Sequence, residues 1–233
     1  MPIFQCPFIN LAPEGNSTAP GKVSGLLPAV RREATNPQRE ERPAAHFISS
    51  RGAGPARLLN LGVAAHSEPT PRLRELASRF AAALPRDGVR LILGGYWGAM
   101  RFVADSAMER GIEVVFVLPA DPPVRPPRDR REAVIIDTGM DLRGRSVILV
   151  RSSDALAALG GESGTMVEVL LAYSMGIPAV VLRSGLPSDS LERIAEGGRL
   201  DSRAGPGIAF ADSPEELAAR SLEVAADWAR RGR

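Results

Sequence analysis

Residues 58–84 read LLNLGVAAHSEPTPRLRELASRFAAAL, and the two halves of this stretch have different periods. The first part, 58–64 (LLNLGVA), is an almost continuous apolar run, as expected of a strand covered on both faces. Thr70 and Pro71 then supply a helix N-cap and a first-turn residue. After them Leu73, Leu76, Ala77, Phe80 and Leu84 recur at helical spacing, so one apolar stripe faces a core. A doubly buried strand feeding directly into an amphipathic helix is the opening of a parallel α/β unit.

The pattern repeats outward from there. Pro85-Arg86-Asp87-Gly88 makes a turn, 89–93 (VRLIL) is a second strand, and Met100, Val103, Ala104, Ala107 and Met108 form the next helical face, closed by Gly111. Strands follow at 112–118 (IEVVFVL), 133–136, 155–159, 179–182 and 208–210, with a helix over 165–175. Ser213-Pro214-Glu215-Glu216 opens a terminal helix running through Trp228 with the N-cap and glutamate of a capping box. Residues 120–132 (ADPPVRPPRDRRE) hold too much proline for either regular element and read as a loop. Residues 147–150 are ambiguous, because their β-branched side chains also suit a strand. Regular alternation of this kind gives an α/β fold: a Rossmann-like, three-layer α/β/α domain over 57–233 with a mostly parallel sheet.

Residues 1–56 differ. They contain eight of the 20 prolines and the polar run RREATNPQREER, with no sustained period. We read them as a poorly ordered extension or as residues preceding the true start, with a partner-binding arm as the alternative. They also carry the whole net charge: six Lys/Arg against four acids, whereas the other 177 residues balance 23 of each sign. A domain without excess cations is not expected to bind nucleic acid. No apolar run reaches the length of a membrane span, and the first residues lack a secretory pattern, so a cytoplasmic protein is expected. The single cysteine, Cys6, excludes an intrachain disulfide and a cysteine-based zinc cluster. The only histidines, His46 and His66, are too isolated to suggest a metal site or a Ser-His-Asp triad. Arginine outnumbers lysine 28 to one. That bias fits a hot-living source, and a GC-rich genome produces it equally.

In an open α/β sheet, ligands sit at the carboxyl ends of the strands. Three strand-to-helix turns draw notice there: Ala65-His66-Ser67, Gly94-Gly95-Tyr96-Trp97-Gly98 and Gly160-Gly161-Glu162-Ser163-Gly164-Thr165. Glycine turns entering helix N-termini present backbone N–H groups and a positive dipole end, the chemistry that holds a phosphate. Neither a P-loop nor an ordinary dinucleotide fingerprint is present. Glu168 falls three residues after Thr165, at the same mouth, where a carboxylate serves acid–base or cation-stabilising chemistry or complements the helix dipole. Spacing alone favours the dipole role. His66, Tyr96 and Trp97 are candidate contacts for a planar base, and Arg125, Arg128, Arg130 and Arg131 form either a lid over an anion or a solvated loop.

The pairing of Gly94-Gly95-x-x-Gly98-x-Met100 with Gly160-Gly161-x-x-Gly164-Thr165-x-x-Glu168 resembles the LOG (lonely-guy) and wider SLOG proteins, formerly labelled lysine decarboxylases. Thr138-Gly139-Met140 followed by Arg145 resembles the branch that includes molybdenum cofactor carrier proteins. The resemblance spans residue 57 to about Trp228. It implies a helix over 144–151, a homo-oligomer (dimer or tetramer), and a nucleotide or other phosphate-bearing small-molecule ligand. LOG enzymes cleave the N-glycosidic bond of cytokinin riboside 5′-monophosphates. Carried over, that makes Arg145 and Glu168 catalytic and puts Ser67, Gly94, Gly95, Gly98, Gly161, Ser163, Gly164 and Thr165 around the phosphate, with no metal and no cofactor. The alternative it implies is a non-catalytic carrier or sensor for a molybdopterin-like or nucleotide ligand. The sequence departs from the LOG pattern at Leu93, Gly160, Glu162 and Ser146, and an added carboxylate at Glu162 calls for a compensating cation beside any phosphate. A pyridoxal-phosphate decarboxylase is excluded, because the chemistry needs a lysine and the only one, Lys22, lies in the extension.

Overall fold

The computed structural model describes residues 57–68, 70–203 and 205–231, so the extension expected over 1–56, Cys6 and His46 included, lies outside the described residues. Seven strands form one sheet in the order β4-β3-β2-β1-β5-β6-β7. They are β1 (Leu59–Ala64), β2 (Val89–Leu93), β3 (Val114–Leu118), β4 (Ala133–Asp137), β5 (Ala155–Ala158), β6 (Ala179–Leu182) and β7 (Ile208–Ala211). Every pairing is parallel, so the expected mostly parallel sheet is parallel throughout.

Alternate side chains of the central strands feed two separate cores, which is why their sequences are apolar without alternation. Leu61, Val63, Ala155 and Ala157 face α1 (Pro71–Ala83), α2 (Gly98–Glu109) and α6 (Pro214–Arg231). Ala64, Leu156 and Ala158 face α3 (Leu142–Arg151), α4 (Ser163–Ser174) and the short α5 (Leu191–Ile194). Thr70 caps α1 as the sequence indicates, its hydroxyl accepting from the Leu73 amide at 3.1 Å. At α6 the capping box is skewed by one residue: the Ser213 hydroxyl accepts from Glu216 N–H, but the Glu216 carboxylate takes the Asp212 amide.

The ambiguous segment 147–150 is helical. The helix starts at Leu142, earlier than the resemblance implied, because Asp141 caps it by accepting from the amides of Arg143 and Gly144. Pro187–Ser190, a 3-10 turn, and α5 after it are elements the periodicity did not announce. Among the described residues no helix is long and apolar enough to cross a membrane.

Strand order reverses at β1, whose neighbours β2 and β5 continue the chain in opposite directions across the sheet. A crevice therefore opens beyond the carboxyl ends of β1, β2 and β5, and all three turns singled out in the sequence lie there.

Candidate functional site

A cavity of about 250 Å³ occupies this crevice. The β1 turn contributes Ala65, His66 and Ser67, the β2 turn Trp97 and the start of α2 Met100. From the other side come Arg143, Arg145 and Ser146 of α3, and Glu162, Ser163, Gly164, Thr165 and Glu168 at the start of α4.

At its floor lies a buried ion pair. Arg145 and Glu168 are 6% and 8% exposed, and Arg145 Nη1 donates to Glu168 Oε1 at 2.8 Å. The Ser146 hydroxyl donates to the same oxygen at 2.9 Å. Glu168 Oε2 is left without a protein partner among the described residues. Burial raises the Glu168 pKa above the ordinary glutamate value, against the pull of Arg145, the Ser146 hydroxyl and Arg143. Burial likewise lowers that of Arg145, against the attraction of Glu168. The 2.8 Å contact is the distance of a charge-assisted pair, and burial makes the carboxylate more easily protonated than a solvated one. Glu168 thus does more than the dipole role that its spacing alone favoured, because it is buried and paired with Arg145.

The two glycine turns do different work. At the β2 turn a Cβ on Gly94 would lie 1.7 Å from Arg145 Nη1, and one on Gly95 would lie 1.9 Å from Cζ3 of Trp97. These glycines leave room for a guanidinium and an indole, and neither lines the cavity. Gly98 has φ +57°, and its α-carbon sits against the Ser67 and His66 carbonyls, while Ala99 N–H donates to His66 O at 3.0 Å. It welds the β2 turn to the β1 turn.

At the β5 turn, Gly161 is bonded to the 3-10 turn. Its amide donates to the buried Ser188 hydroxyl at 3.1 Å, its carbonyl accepts from Ser188 N–H at 2.9 Å, and it does not line the cavity. Ser163, Gly164 and Thr165 do line it. The first helical bond at this end is made by the Met166 amide to Glu162 O, so the three preceding amides are unpaired within α4. They converge with the helix dipole on the cavity, as anion recognition requires.

Tyr96 does not line this cavity. Its hydroxyl donates to Asp105 at 2.5 Å, its ring meets Phe116 edge-on, and it opens onto a neighbouring hollow. His66, Ser67 and Trp97 remain at the cavity. Sequence reasoning missed Arg143, an exposed arginine at the rim without an ion-pair partner among the described residues, whose Nη1 lies 3.9 Å from where a Gly164 Cβ would be. The signal that could have found it was Asp141: a cap there starts α3 early enough to bring residue 143 to the mouth. Arg143 and Glu162 line the same cavity. The arginines of the 120–132 loop do not line this cavity, and Arg125 instead pairs with Asp137 at 2.9 Å. Among the described residues no group of His, Cys, Asp and Glu is arranged to hold a metal ion.

The SLOG cluster4 family model matches residues 58–218, which is the whole sheet and every turn of the cavity. The chain belongs to the SLOG cluster4 family. An uncharacterized protein of Archaeoglobus fulgidus is 31% identical over 127 residues, covering 52% of this chain and 77% of that protein. The X-ray structure of TM1055 superposes with a TM-score of 0.63 at 31% identity, over 71% of this chain and 98% of that one. The molybdenum cofactor binding protein of Rippkaea orientalis superposes with a TM-score of 0.60 at 25% identity, over 72% of this chain and 98% of that one. The two solved structures share the fold, so the Rossmann-like reading of the sequence holds.

Proposed function

We propose that this SLOG protein binds a nucleoside 5′-monophosphate or closely related ligand in the crevice and hydrolyses its N-glycosidic bond. One observation carries the reading: a buried glutamate with one oxygen fixed by Arg145 and Ser146 and the other unpartnered, beside three unpaired helix-start amides. The 5′-phosphate would take the amides of Ser163, Gly164 and Thr165, with the Thr165 hydroxyl and Arg143 completing the contact. The sugar would then lie over Glu168. As the C1′–N bond breaks, its electron pair leaves with the base and positive charge develops on the ribose, which the free carboxylate oxygen stabilises. Water adds at C1′ and gives up its proton, yielding ribose 5-phosphate and the free base. Arg145, held by Glu168, is a positioning residue here and not a phosphate ligand.

The test is release of base from a panel of nucleoside monophosphates, followed chromatographically. The expected result is release from at least one member by the wild type and none from Glu168→Ala. Equal behaviour of the two proteins across the panel overturns the catalytic reading.

A second reading, a carrier that binds without turnover, is favoured by the likeness to the Rippkaea orientalis molybdenum cofactor binding protein. Tight binding of a pterin or nucleotide with no bond cleavage selects it. Either reading includes assembly into an oligomer: the exposed apolar side chains Met140, Leu142, Val147 and Leu170 lie on or next to α3 and α4, beside the cavity, where a second copy would cover them. Analytical ultracentrifugation measures that state.

A further inference from the structure

A second hollow, of about 900 Å³, lies on the other side of Trp97 and shares both Trp97 and Ser67 with the first. The first cavity, at about 250 Å³, falls short of the roughly 300–1,000 Å³ that enclose a small-molecule ligand. It suits a phosphorylated sugar and leaves the rest of a nucleotide-sized molecule outside. Trp97 and Ser67 line both hollows, so the second begins where the first ends.

The lining of the second hollow is that of a site for a flat ring. Phe102, Tyr96 and Trp97 present aromatic surface, and Pro123 and Val124 of the proline-rich loop face them. The Arg74 guanidinium lies over the Phe102 ring at 4.5 Å and has no carboxylate partner among the described residues. Arg101, by contrast, lies over Tyr96 at 5.4 Å and is held by Asp105 at 3.6 Å, while Asp105 also takes the Tyr96 hydroxyl. The polar groups left for a ligand include the Arg74 donors and the hydroxyls of Ser67, Ser78 and Ser106, the last two in a mutual contact that is long at 3.4 Å. A guanidinium over an aromatic ring keeps its N–H donors for a further acceptor.

We infer that the second hollow is a subsite for the heteroaromatic base of the same ligand, of the purine class, with acceptor atoms directed to Arg74 and the ring stacked against Trp97. This rests on the phosphate site proposed above, and it adds residues from α1, α2 and the 120–132 loop that no glycine motif includes.

Calorimetric titration of a Glu168→Gln background, in which a cleavable ligand stays intact, tests it with three probes: ribose 5-phosphate, adenosine 5′-monophosphate and guanosine 5′-monophosphate. The expected result is that at least one purine nucleotide binds more tightly than ribose 5-phosphate. Arg74→Ala should then reduce that advantage about five- to tenfold while leaving ribose 5-phosphate affinity unchanged. Val124→Asp, an exposed substitution on the opposite wall, should do the same, which guards against a folding defect in either variant. An unchanged affinity ratio in both variants, or no purine advantage at all, overturns the subsite and leaves the phosphate site standing. Failure of all three probes to bind overturns the phosphate site, and the subsite falls with it.

Discussion

The turn after β2 and the turn after β5 carry nearly the same signal in sequence, a glycine doublet followed three residues later by another glycine, yet they are built for opposite purposes. In the first, glycine makes room: Arg145 occupies the space over Gly94, Trp97 that over Gly95, and the β1 turn that over Gly98. In the second, the doublet is anchored from behind by Ser184 and Ser188, and the third glycine is open, with only Arg143 near it. At both doublets a missing side chain means a neighbour, with Ser184 over Gly160 and Thr165 over Gly161; the turns part at the third glycine, where Gly98 meets backbone and Gly164 is open to a ligand. Glycine spacing tells that a crevice exists but not which of its walls is the binding wall.

The most damaging way to break this contrast is to remove the side chain that the first turn accommodates. Arg145→Met leaves Glu168 buried without its counter-charge, and we expect a loss of about 3–5 kcal/mol in urea unfolding. The same pair sets a pH dependence. Burial holds the folded Glu168 pKa above its unfolded value, so that group's stabilisation is full below the unfolded value and is lost as pH rises through the folded one. Denaturation of wild type and Glu168→Gln across that window should show the difference between them moving against the wild type as pH rises. A pH-independent difference would contradict the burial of the carboxyl.

Next in size, Gly98→Ala and Gly164→Ala compare the two turns directly. At Gly98 a Cβ meets backbone at 2.4 Å and the φ of +57° disfavours alanine, so about 3 kcal/mol should be lost. At Gly164, one residue inside α4, alanine meets nothing closer than 3.9 Å and should stabilise by up to about 1 kcal/mol through helix propensity. Equal thermal shifts for the two variants would erase the distinction drawn between the turns. Ser188→Ala strands the buried Gly161 amide and should cost about 1–2 kcal/mol. Smallest for stability is Arg143→Ala, expected within about 0.5 kcal/mol of wild type by thermal melting, because the side chain is exposed and unpaired among the described residues. Its effect should appear instead as about tenfold weaker ribose 5-phosphate binding.

Much of this was legible along the chain. Strands buried on both faces have to be apolar without alternation, and Thr70-Pro71 announces a helix start by local chemistry alone. Glu168 was placed at the correct mouth by counting from Thr165. What failed to show was anything set by approach across the sheet. Val147-Ile148-Leu149-Val150 reads as strand by propensity, and the cap at Asp141 together with packing against α4 overrides it. Ser188 meets Gly161 across 27 residues, and Arg143 nears Gly164 from another helix, so neither contact leaves a periodic trace. Tyr96 and Trp97 are adjacent in the chain, yet only Trp97 lines the first cavity, because Tyr96 is drawn off by Asp105.

The placement of Trp97 has a practical consequence. The chain has two tryptophans, and Trp228 lies on α6, beside Gly176 and away from the crevice residues. A protein with phenylalanine at 228 would therefore emit from a single indole lining both hollows. Its intrinsic fluorescence would report occupancy of either chamber in real time, without a label.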